Sequence, residues 1–410
     1  SKYTHERLGN SMNAKYVLVC NPGSTSLKYK LFQMDDEQIL AEGRIERVGS
    51  DDSIFIYESS THPTKEEQLH IPDYQSAVNA VIKVLKEEMD RKGIELKNIS
   101  AVGFKTVHAG KKTGTLELND DVLEAMKKYS FVAPAHNPPY ITAINIFKKE
   151  LPNTPMIGVF ETSFHSTISE YAYTYGIPKK WREKYDIRRY GFHGASHRYV
   201  SERVSSLMGK NNIKVITCHL GGSSSICAVE NGRSIDTSLG FSLQSGVQHN
   251  NRCGDIDPFI LLYIMEKEGL SPKEVADILV NNSGLKGLSG VGNDLRDIEE
   301  SAYNGIESAK LAIDVFCYEI KKYIGSYIAI LGGIDAIAFA GGIGENGIKI
   351  REKVCKNLDH LGISIDIGKN RGLENIERLI SDEDSKVKVF VIPTNEEIVV
   401  ARECIKLLYS

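Results

Sequence analysis

The sequence predicts an α/β protein built from two similar halves, because one pattern of strands and turns occurs twice. An apolar run at residues 16–20 leads into the Gly/Ser turn NPGSTS and resumes as a second strand, LKYKLFQM. About 200 residues later, VITC at 215–218 leads into HLGGSSS and resumes as ICAV. A repeat of this kind indicates a duplicated domain, whereas two unrelated Gly/Ser turns are the simpler alternative.

The other elements follow in order along each half. In the first half, a turn at 35–36 and the run ILAEGRIERVG predict a third strand, and apolar residues at helical spacing predict a helix over 75–91. In the second half, the turn ENG precedes a third strand, RSIDTS, and Pro258 is placed for the first turn of a helix. A buried strand at 335–340, a glycine turn at 341–346 and a helix from about residue 347 complete the pattern, with a further strand at 387–392.

Composition places the chain among ordinary globular proteins, since 41% of its 410 residues are hydrophobic and 25% are charged. The net charge of −4 gives no sign of a nucleic-acid partner, and no apolar run reaches the roughly 18 residues of a membrane span. Seven cysteines without CxxC or zinc spacing predict reduced thiols in a cytoplasmic protein. Residues 1–11 are polar and precede Met12, so we expect a leader or tag outside the fold.

Three glycine-containing turns, each after an apolar strand, predict contacts with phosphate groups. They contain Gly23, Gly221 with Gly222, and the glycines of 341–344. Glycine lets the backbone approach an anion closely, and consecutive N–H groups form an anion-binding nest. The P-loop pattern GxxxxGK[ST] is absent. Two halves that each carry such a turn suggest a cleft with one shared phosphate chain.

Polar residues concentrate in loops at the ends of predicted strands, where binding and catalytic sites are usually built. The segment RRYGFHGASH suggests an anion-binding surface, with a solvated surface pair as the alternative for Arg188 and Arg189. Glu161 and Glu396 could supply carboxylates to a magnesium ion, with a surface pair at a helix start as the alternative for Glu396 and Glu397. Further candidates in such loops are His108, His136, His165, His193, His197, Arg252 and Asp255.

Six segments, in order, resemble those of the acetokinase (acetate kinase) family over nearly the whole chain from about residue 16. They are NPGSTSLK, CHLGGSSSICAVENG, RRYGFHGASHRYV, NDLRDIEE, GGIGEN and VIPTNEE. The resemblance implies a two-domain ribonuclease H-like (actin-like ATPase) fold with a duplicated βββαβαβα core. It implies an N-terminal domain at 12–162 plus 397–410 and a C-terminal nucleotide-binding domain at 163–396. It further implies phosphoryl transfer between ATP and a short carboxylic acid, with Mg²⁺ (or Mn²⁺), giving ADP and an acyl phosphate, and a homodimer formed through the second domain.

The resemblance also implies roles for residues at the matching motif positions. Glu161, His193 and Arg252 would be catalytic, and Asn21 and Glu396 would hold the metal. The carboxylic acid would be contacted by Lys105, Val107, His136, Phe192 and Leu243. The nucleotide and its phosphates would be bound by Ser24, Ser26, Lys28, His219, Gly221, Gly222, Asp294, Leu295, Arg296, Gly342, Ile343, Gly344 and Asn346.

The chain departs from the family pattern at several of these positions. Lys105 stands where the family has arginine, which keeps the charge and loses the bidentate fork, and Glu161 stands where it has aspartate. The family's Gly-Asn-Gly is here GGS at 221–223, and its Gly-Thr-Arg is NNR at 250–252.

Ala135 replaces a leucine, and the segment 241–246 reads FSLQSG where the family has Phe-Thr-Pro-Leu-Glu-Gly. A pocket larger by a methylene changes substrate preference by only about 10–200-fold. Two alternatives to acetate phosphorylation therefore stay open. One is a kinase for propionate, butyrate or a larger or polar acid, and the other is a weakly active nucleotide-binding sensor or partner protein.

Overall fold

A computed structural model describes residues 14–372 and 375–410, and the expected leader at 1–11 lies outside them. The described chain divides into two units. Unit 1 runs to Ser163 and includes Asn395–Ser410, and unit 2 is Phe164–Thr394. The division falls two residues before the boundary expected after residue 396, and it assigns Glu396 to unit 1. The cause is the helix Glu396–Tyr409, which packs on the sheet of unit 1.

Unit 1 is built on a mixed sheet of eight strands in the order β5-β4-β3-β2-β1-β6-β8-β7. Strands β1 to β5 form an antiparallel series, β6 and β8 run parallel to β1, and β7 is antiparallel at the far edge. The strands are β1 Tyr16–Pro22, β2 Leu27–Gln33, β3 Gln38–Glu46, β4 Ile54–Ser59, β5 Lys65–Gln68, β6 Ile99–Phe104, β7 Thr115–Glu117 and β8 Met156–Val159.

Helices cover the buried strands of unit 1, as an α/β core requires. Asp73 caps the first helix by accepting from the Ser76 N–H at 2.8 Å, and the apolar face of this helix is buried. The helix Glu396–Tyr409 packs so closely on β6 that a Cβ at Gly103 would lie 2.8 Å from Cys404 Sγ. The helices are α1 Tyr74–Arg91, α2 Asp120–Lys128, α3 Asn137–Glu150 and the C-terminal helix Glu396–Tyr409, with a 3₁₀ turn at Leu96–Asn98.

Unit 2 has a second mixed sheet, of six strands in the order β11-β10-β9-β12-β14-β13. Its strands are β9 Lys214–His219, β10 Ser225–Glu230, β11 Arg233–Thr237, β12 Ala336–Ala340, β13 Arg378–Leu379 and β14 Lys388–Val391. Strands β9, β10 and β11 are antiparallel, β12 and β14 run parallel to β9, and β13 is an antiparallel edge strand.

The two sheets therefore repeat one topology. In each, three antiparallel strands occupy the order third-second-first, and two parallel strands extend the sheet from the first strand, with an antiparallel strand at its edge. Each unit also has hydrophobic core clusters of its own. The predicted α/β fold of actin-like ATPase type with a duplicated core is thereby confirmed.

The helices of unit 2 agree with the sequence prediction at Pro258, which begins a helix capped by Asp257. The prediction of a turn over 341–346 is wrong, because these residues form a short helix. Only Gly341, with φ of +76°, makes the turn. The helices are α4 Glu170–Tyr173, α5 Lys179–Tyr185, α6 Gly194–Met208, α7 Pro258–Glu268, α8 Pro272–Asn281, α9 Gly284–Ser289, α10 Leu295–Tyr303, α11 Glu307–Leu331, α12 Gly341–Asn346, α13 Ile348–Cys355 and α14 Ile367–Asn370. A 3₁₀ turn at Ser163–Thr167 begins at the last residue of the first segment of unit 1, and another lies at Asp359–Leu361.

Two further features of the described chain are the character of its helices and the state of its cysteines. Among the helices within 14–372 and 375–410, none has the length and apolar character needed to cross a membrane. All seven cysteines are free thiols, and only Cys253 among them is not buried.

Candidate active site

In unit 1, the hairpin of β1, its turn and β2 carries four of the predicted site residues, namely Asn21, Ser24, Ser26 and Lys28. The Gly23 N–H donates to the Ser26 carbonyl at 2.8 Å and closes the turn. Asn21 faces Lys28 across the strand pair, and Ser24 is exposed at the tip. Asn21 and Lys28 also line a cavity of about 410 Å³ on the sheet. The end of β1, the turn and the start of β2 thus carry an amide, two hydroxyl-bearing residues and an ammonium group in one short segment.

An ion pair in unit 1 brings together residues that lie far apart in sequence. Lys105, directly after β6, donates from Nζ to Glu396 Oε2 at 2.7 Å, and the two side chains are only 22% and 16% exposed. Burial alone lowers the pKa of the Lys105 ammonium, but the carboxylates of Glu396 and Glu161 together raise it above its ordinary value. Burial raises the pKa of Tyr140, and the nearby Glu161 and Glu396 add to the increase while Lys105 opposes it. These four side chains form one electrostatic cluster.

The remaining predicted residues of unit 1 lie in adjoining loops. Val107 is 4% exposed, and the N–H of buried Glu161 donates to the Thr106 carbonyl at 2.8 Å. His136 is the residue before helix α3 and is partly buried. His108 has a structural setting instead, because its ring stacks on Tyr129 and Nδ1 accepts from the Gly110 N–H.

The oxygen donors of unit 1 fit the chemistry of a magnesium ion. Tyr140 OH lies 3.5 Å from Asn21 Oδ1, and the Glu396 carboxylate is close enough to raise the pKa of Tyr140. Asn21 and Glu396 therefore both lie near this tyrosine. Within the described residues, no group of three or more His, Cys, Asp or Glu side chains is placed to hold a metal. Magnesium prefers oxygen ligands and needs only one or two carboxylates, completed by waters and substrate phosphates.

In unit 2, a histidine cluster is organised by one serine. His193 has φ of +56°, a left-handed conformation rare outside glycine and found at functional positions. Its Nδ1 lies 2.8 Å from Ser225 Oγ, and Nε2 of buried His197 lies 2.7 Å from the same oxygen. His197 is held in turn by Thr217 at 2.7 Å. Ser225 therefore fixes the ring of His193, a role that the sequence analysis missed because the only signal was its place after a Gly/Ser turn.

His219 belongs to the same cluster. Its ring centroid lies 4.4 Å from that of His193, and its Nδ1 lies 2.7 Å from Ser196 Oγ. Ser196 Oγ is also 2.9 Å from Thr394 Oγ1. Two imidazoles predicted to face phosphate are thus neighbours, and both are oriented by hydroxyl groups.

Arg252 lies beside the Gly/Ser turn of unit 2, and two hydrogen bonds hold its guanidinium group in place. Nε donates to the Leu243 carbonyl at 2.8 Å, and Nη2 donates to Ser223 Oγ. Burial lowers the pKa of Arg252 to about 10, which leaves the guanidinium charged at neutral pH. Leu243 and Phe192, both predicted to contact the acid, are buried at 4% and 0% exposure.

The predicted nucleotide segments of unit 2 occupy two helix starts. In α12, the N–H groups of Ile343 and Gly344 both donate to the Leu220 carbonyl, and Asn346 Nδ2 donates to the Gly342 carbonyl at 3.0 Å. At α10, Asp294 caps the helix and pairs with Arg296, whose side chain is 90% exposed.

Three side chains singled out in the sequence are committed to packing or structural bonds. Leu295 packs into the core of unit 2. Arg189 Nη1 donates to the carbonyls of Thr237, Ser238 and Leu239, and Arg188 lies over the Tyr173 ring at 3.6 Å. These two arginines therefore make structural contacts within unit 2. The sequence analysis had expected either an anion-binding surface or a solvated surface pair at these positions.

Buried His165 predicts a loss of stability in acid. Burial lowers its pKa to about 4, while its ring contacts Ser234 Oγ and the Phe192 carbonyl. An unfolded histidine titrates near 6.5, so below that pH the unfolded state binds the additional proton. We expect the full stabilisation above about pH 6.5 and a loss of about 3 kcal/mol from this residue as the pH falls towards 4.

Urea unfolding at a series of pH values measures this effect. The variant His165→Gln carries no titrating group and should show a smaller change in unfolding free energy between pH 7 and 5. An unchanged pH slope in the variant would show that His165 does not account for the acid sensitivity.

Two adjacent glycines in α12 are expected to respond differently to alanine. A Cβ at Gly341 would lie 2.5 Å from the Leu220 carbonyl oxygen, at positive φ, so Gly341→Ala should cost about 3 kcal/mol of stability. Outside its own helix and chain neighbours, a Cβ at Gly342 meets no atom of residues 14–372 and 375–410 within 4 Å, and Gly342→Ala should keep its stability. If a nucleotide occupies that open space, Gly342→Ala should weaken ADP binding about 10-fold. Thermal unfolding and calorimetric titration with ADP separate the two effects, and equal stability of the two variants would refute the steric argument.

The duplicated actin-like ATPase fold, with a Gly/Ser turn in each unit beside charged and imidazole side chains, defines a phosphotransferase. The sequence matches the Acetokinase family over residues 16–402. The chain belongs to that family, whose members are ATP-dependent carboxylate kinases.

Individual relatives agree with this assignment. The chain is 47% identical over 397 residues to an acetate kinase of Carboxydothermus hydrogenoformans, covering 96% of this chain and 99% of the relative. It is similar in structure to the acetate kinase of Porphyromonas gingivalis, with a TM-score of 0.86, 38% identity, and coverage of 96% and 100% of the two chains. A propionate kinase from Francisella tularensis subsp. tularensis SCHU S4 matches with a TM-score of 0.87, 36% identity, and coverage of 95% and 98%.

Proposed function

We propose that the chain transfers the γ-phosphate of ATP reversibly to acetate with the aid of Mg²⁺, giving acetyl phosphate and ADP. The observation that supports this most directly is Arg252, a partly buried guanidinium held beside the Gly/Ser turn of unit 2. Bringing a carboxylate to a triphosphate joins two anions, and phosphoryl transfer depends on positioning and on neutralising the charge of the equatorial oxygens. A fixed cation next to a glycine turn meets that need.

Each group of residues has a task in this proposal. Arg252 and His193 donate hydrogen bonds to the transferring phosphoryl group, and Ser225 holds the His193 ring in place for it. In unit 1, the ammonium of Lys105 attracts the acceptor carboxylate. A bound magnesium would neutralise phosphate oxygens, and Asn21 with Glu396 would hold it.

A second substrate is favoured by one specific observation. The similar structure from Francisella tularensis is a propionate kinase. By the resemblance to the family, Ala135 stands where a leucine borders the acid, and a smaller side chain there would leave space for an added methylene, so propionate is the second candidate acceptor.

A panel assay tests the function and the choice of acid. Purified protein with ATP and Mg²⁺ is offered acetate, propionate, butyrate and polar acids, and acyl phosphate is trapped with hydroxylamine. Turnover with acetate and a larger kcat/KM than for propionate supports the first candidate. Nucleotide binding without turnover of any acid would sink the proposed activity and favour a sensor.

We also propose a homodimer formed through helix α7 of unit 2. Its residues Phe259, Leu262 and Tyr263 are 74%, 57% and 62% exposed, and no residue of this mostly apolar helix is buried. A contiguous exposed apolar surface of this kind marks an interaction site, and a second copy of the chain is the commonest occupant.

Replacing Phe259 and Tyr263 by lysine together should convert the dimer to a monomer in light scattering after size exclusion. Tyr171→Lys, at a residue 90% exposed on α4, is the matched control and should leave the mass unchanged. A monomeric unaltered protein would overturn this part of the proposal.

The free thiols fit a reducing compartment, and we therefore propose that the protein is located in the cytoplasm.

A further inference from the structure

Hydrogen bonds in unit 2 connect strand β9 to His193 through side chains that are closed off from solvent. Thr217 Oγ1 lies 2.7 Å from His197 Nδ1. On the other side of this imidazole, His197 Nε2 lies 2.7 Å from Ser225 Oγ, and the same oxygen lies 2.8 Å from His193 Nδ1. Thr217, His197 and Ser225 are each at most 1% exposed, so water does not compete for the bonds of this Thr217 network.

Each member of the Thr217 network has a limited number of protons to donate. Burial lowers the pKa of His197 well below its ordinary value, so its imidazole is neutral and has one N–H and one acceptor nitrogen. The Ser225 hydroxyl has a single proton and lies between two imidazole nitrogens, so it donates to one ring and accepts from the other. The three bonds consequently all run in one direction, either from Thr217 towards His193 or from His193 towards Thr217.

The hydroxyl proton of Thr217 decides between the two directions. If the bonds ran towards Thr217, its Oγ1 would accept from His197, and its own buried proton would need another acceptor. Within the described residues, the other acceptor beside this hydroxyl is the thiol of Cys227, which faces Thr217 across β9 and β10. Burial raises the pKa of that thiol to about 12, so it stays uncharged, and a thiol sulfur is only a weak acceptor. The Thr217 proton therefore goes to His197 Nδ1, and the bonds run towards His193.

This direction places the proton of the neutral His193 ring. Ser225 donates to Nδ1, so Nδ1 is the acceptor nitrogen of His193 and Nε2 carries the N–H. The backbone at this position is fixed as well, since the Phe192 carbonyl accepts from His165 Nε2 at 2.8 Å and His193 has φ of +56°. Both the orientation of the ring and the position of its proton are thus determined within unit 2.

We propose that Thr217 and His197 are positioning residues for phosphoryl transfer, and that they act through Ser225 to keep the ring proton of His193 on Nε2. A phosphoryl oxygen is an acceptor, so only this tautomer lets Nε2 of the neutral ring donate to it. The inference rests on the proposed function for the identity of that acceptor. The tautomer itself is a property of unit 2 and can be measured without any substrate.

Nitrogen-15 NMR of the histidine rings in the full chain measures the tautomer directly. The His193 signals are identified by their loss in His193→Gln, and we expect the proton on Nε2 in the unaltered protein at about pH 8, above the ordinary pKa of histidine. Thr217→Val keeps the shape and removes the hydroxyl, so we expect a mixture of the two His193 tautomers. Thr217→Ser keeps the hydroxyl and should keep the Nε2 tautomer, although serine fills the site less well than valine.

Kinetics show whether Thr217 acts through Ser225. If the two tautomers become equally populated in Thr217→Val, half of the molecules lack the donor, and kcat for acyl phosphate formation should fall about twofold with unchanged KM values. Ser225→Ala removes the hydroxyl that contacts the His193 ring, and we expect kcat to fall about 10-fold. Adding Thr217→Val to Ser225→Ala should cause no further loss, because the connection to His193 is already broken.

Ser196 provides the matched control within the same histidine cluster. Its hydroxyl lies 2.7 Å from Nδ1 of the neighbouring His219 and 2.9 Å from Thr394 Oγ1, and it takes no part in the Thr217 network. Ser196→Ala should change the ring signals of His219 and leave the tautomer of His193 as it is. The comparison separates an effect on this tautomer from a general disturbance of the cluster.

The contradicting results are specific. A proton on Nδ1 of His193 in the unaltered protein, or an unchanged tautomer in Thr217→Val, would overturn the proposal. Equal effects of Thr217→Val and Thr217→Ser would also overturn it, as would losses in kcat that multiply in the double variant with Ser225→Ala. The expected tautomers without any acyl phosphate formation would contradict the proposed function alone.

Discussion

Replacing Arg252 by alanine is expected to lower kcat for acyl phosphate formation by about 10³-fold, the loss typical of removing one fixed donor to transition-state charge. The guanidinium is partly buried and is held in place by the Leu243 carbonyl and Ser223. Since Arg252 would act on the transferring group, the loss should appear in kcat with little change in ADP affinity. Trapping of acyl phosphate with hydroxylamine measures the first quantity, and calorimetry measures the second.

Arg203→Ala is the matched control for Arg252. Arg203 lies in helix α6 of the same unit and pairs with Glu377, and the two side chains are 35% and 26% exposed. Its removal should leave kcat unchanged and alter stability by less than about 1 kcal/mol. A loss in Arg252→Ala that is no larger than in Arg203→Ala would contradict a role in phosphoryl transfer.

The second large effect is expected at Lys105. Lys105→Met removes the ammonium group that faces the carboxylates of Glu396 and Glu161, and breaking this largely buried pair on one side should cost about 3 kcal/mol. It should also abolish measurable use of the acid. Lys105→Arg keeps the charge and adds a second donor for a carboxylate, so we expect preserved stability and a KM for acetate about 10-fold lower.

Lys30→Met provides the matched comparison, since Lys30 lies 3.9 Å from the neighbouring residue Glu397 in a more exposed pair. Its cost should stay below about 1 kcal/mol. Urea unfolding gives the stabilities, and the acyl phosphate assay gives KM. Equal stabilities of the Lys105→Met and Lys30→Met variants would show that the buried pair does not hold unit 1 together.

Much of the fold could be predicted from short segments because its signals are local. The two strand-turn-strand repeats were visible as apolar runs ending in Gly and Ser, and the start of α7 was visible as Asp257 followed by Pro258. Helix α12 was missed for a physical reason. Its glycines disfavour a helix intrinsically, and the helix is stabilised by hydrogen bonds to the carbonyl of Leu220, the residue after β9 and distant in sequence.

The candidate site was less predictable because its geometry comes from contacts distant in sequence. Lys105 and Glu396 are separated by 291 positions, so their ion pair had no local signal. Ser225 was one serine among three, and only the fold places it between His193 and His197. The structural bonds of Arg189 to three carbonyls were equally invisible in the sequence, where a pair of arginines suggested an anion.

The division of the chain has a consequence for its synthesis. Unit 2 is continuous, whereas unit 1 needs the helix Glu396–Tyr409, which packs on β1 and β6. A chain whose synthesis stops after residue 394 contains the whole of unit 2, whereas the sheet of unit 1 lacks this cover and Gly103 has no Cys404 beside it. We therefore expect a released chain that ends at residue 394 to contain a protease-resistant unit 2 and a protease-sensitive unit 1, the reverse of the order in which the two begin to be made.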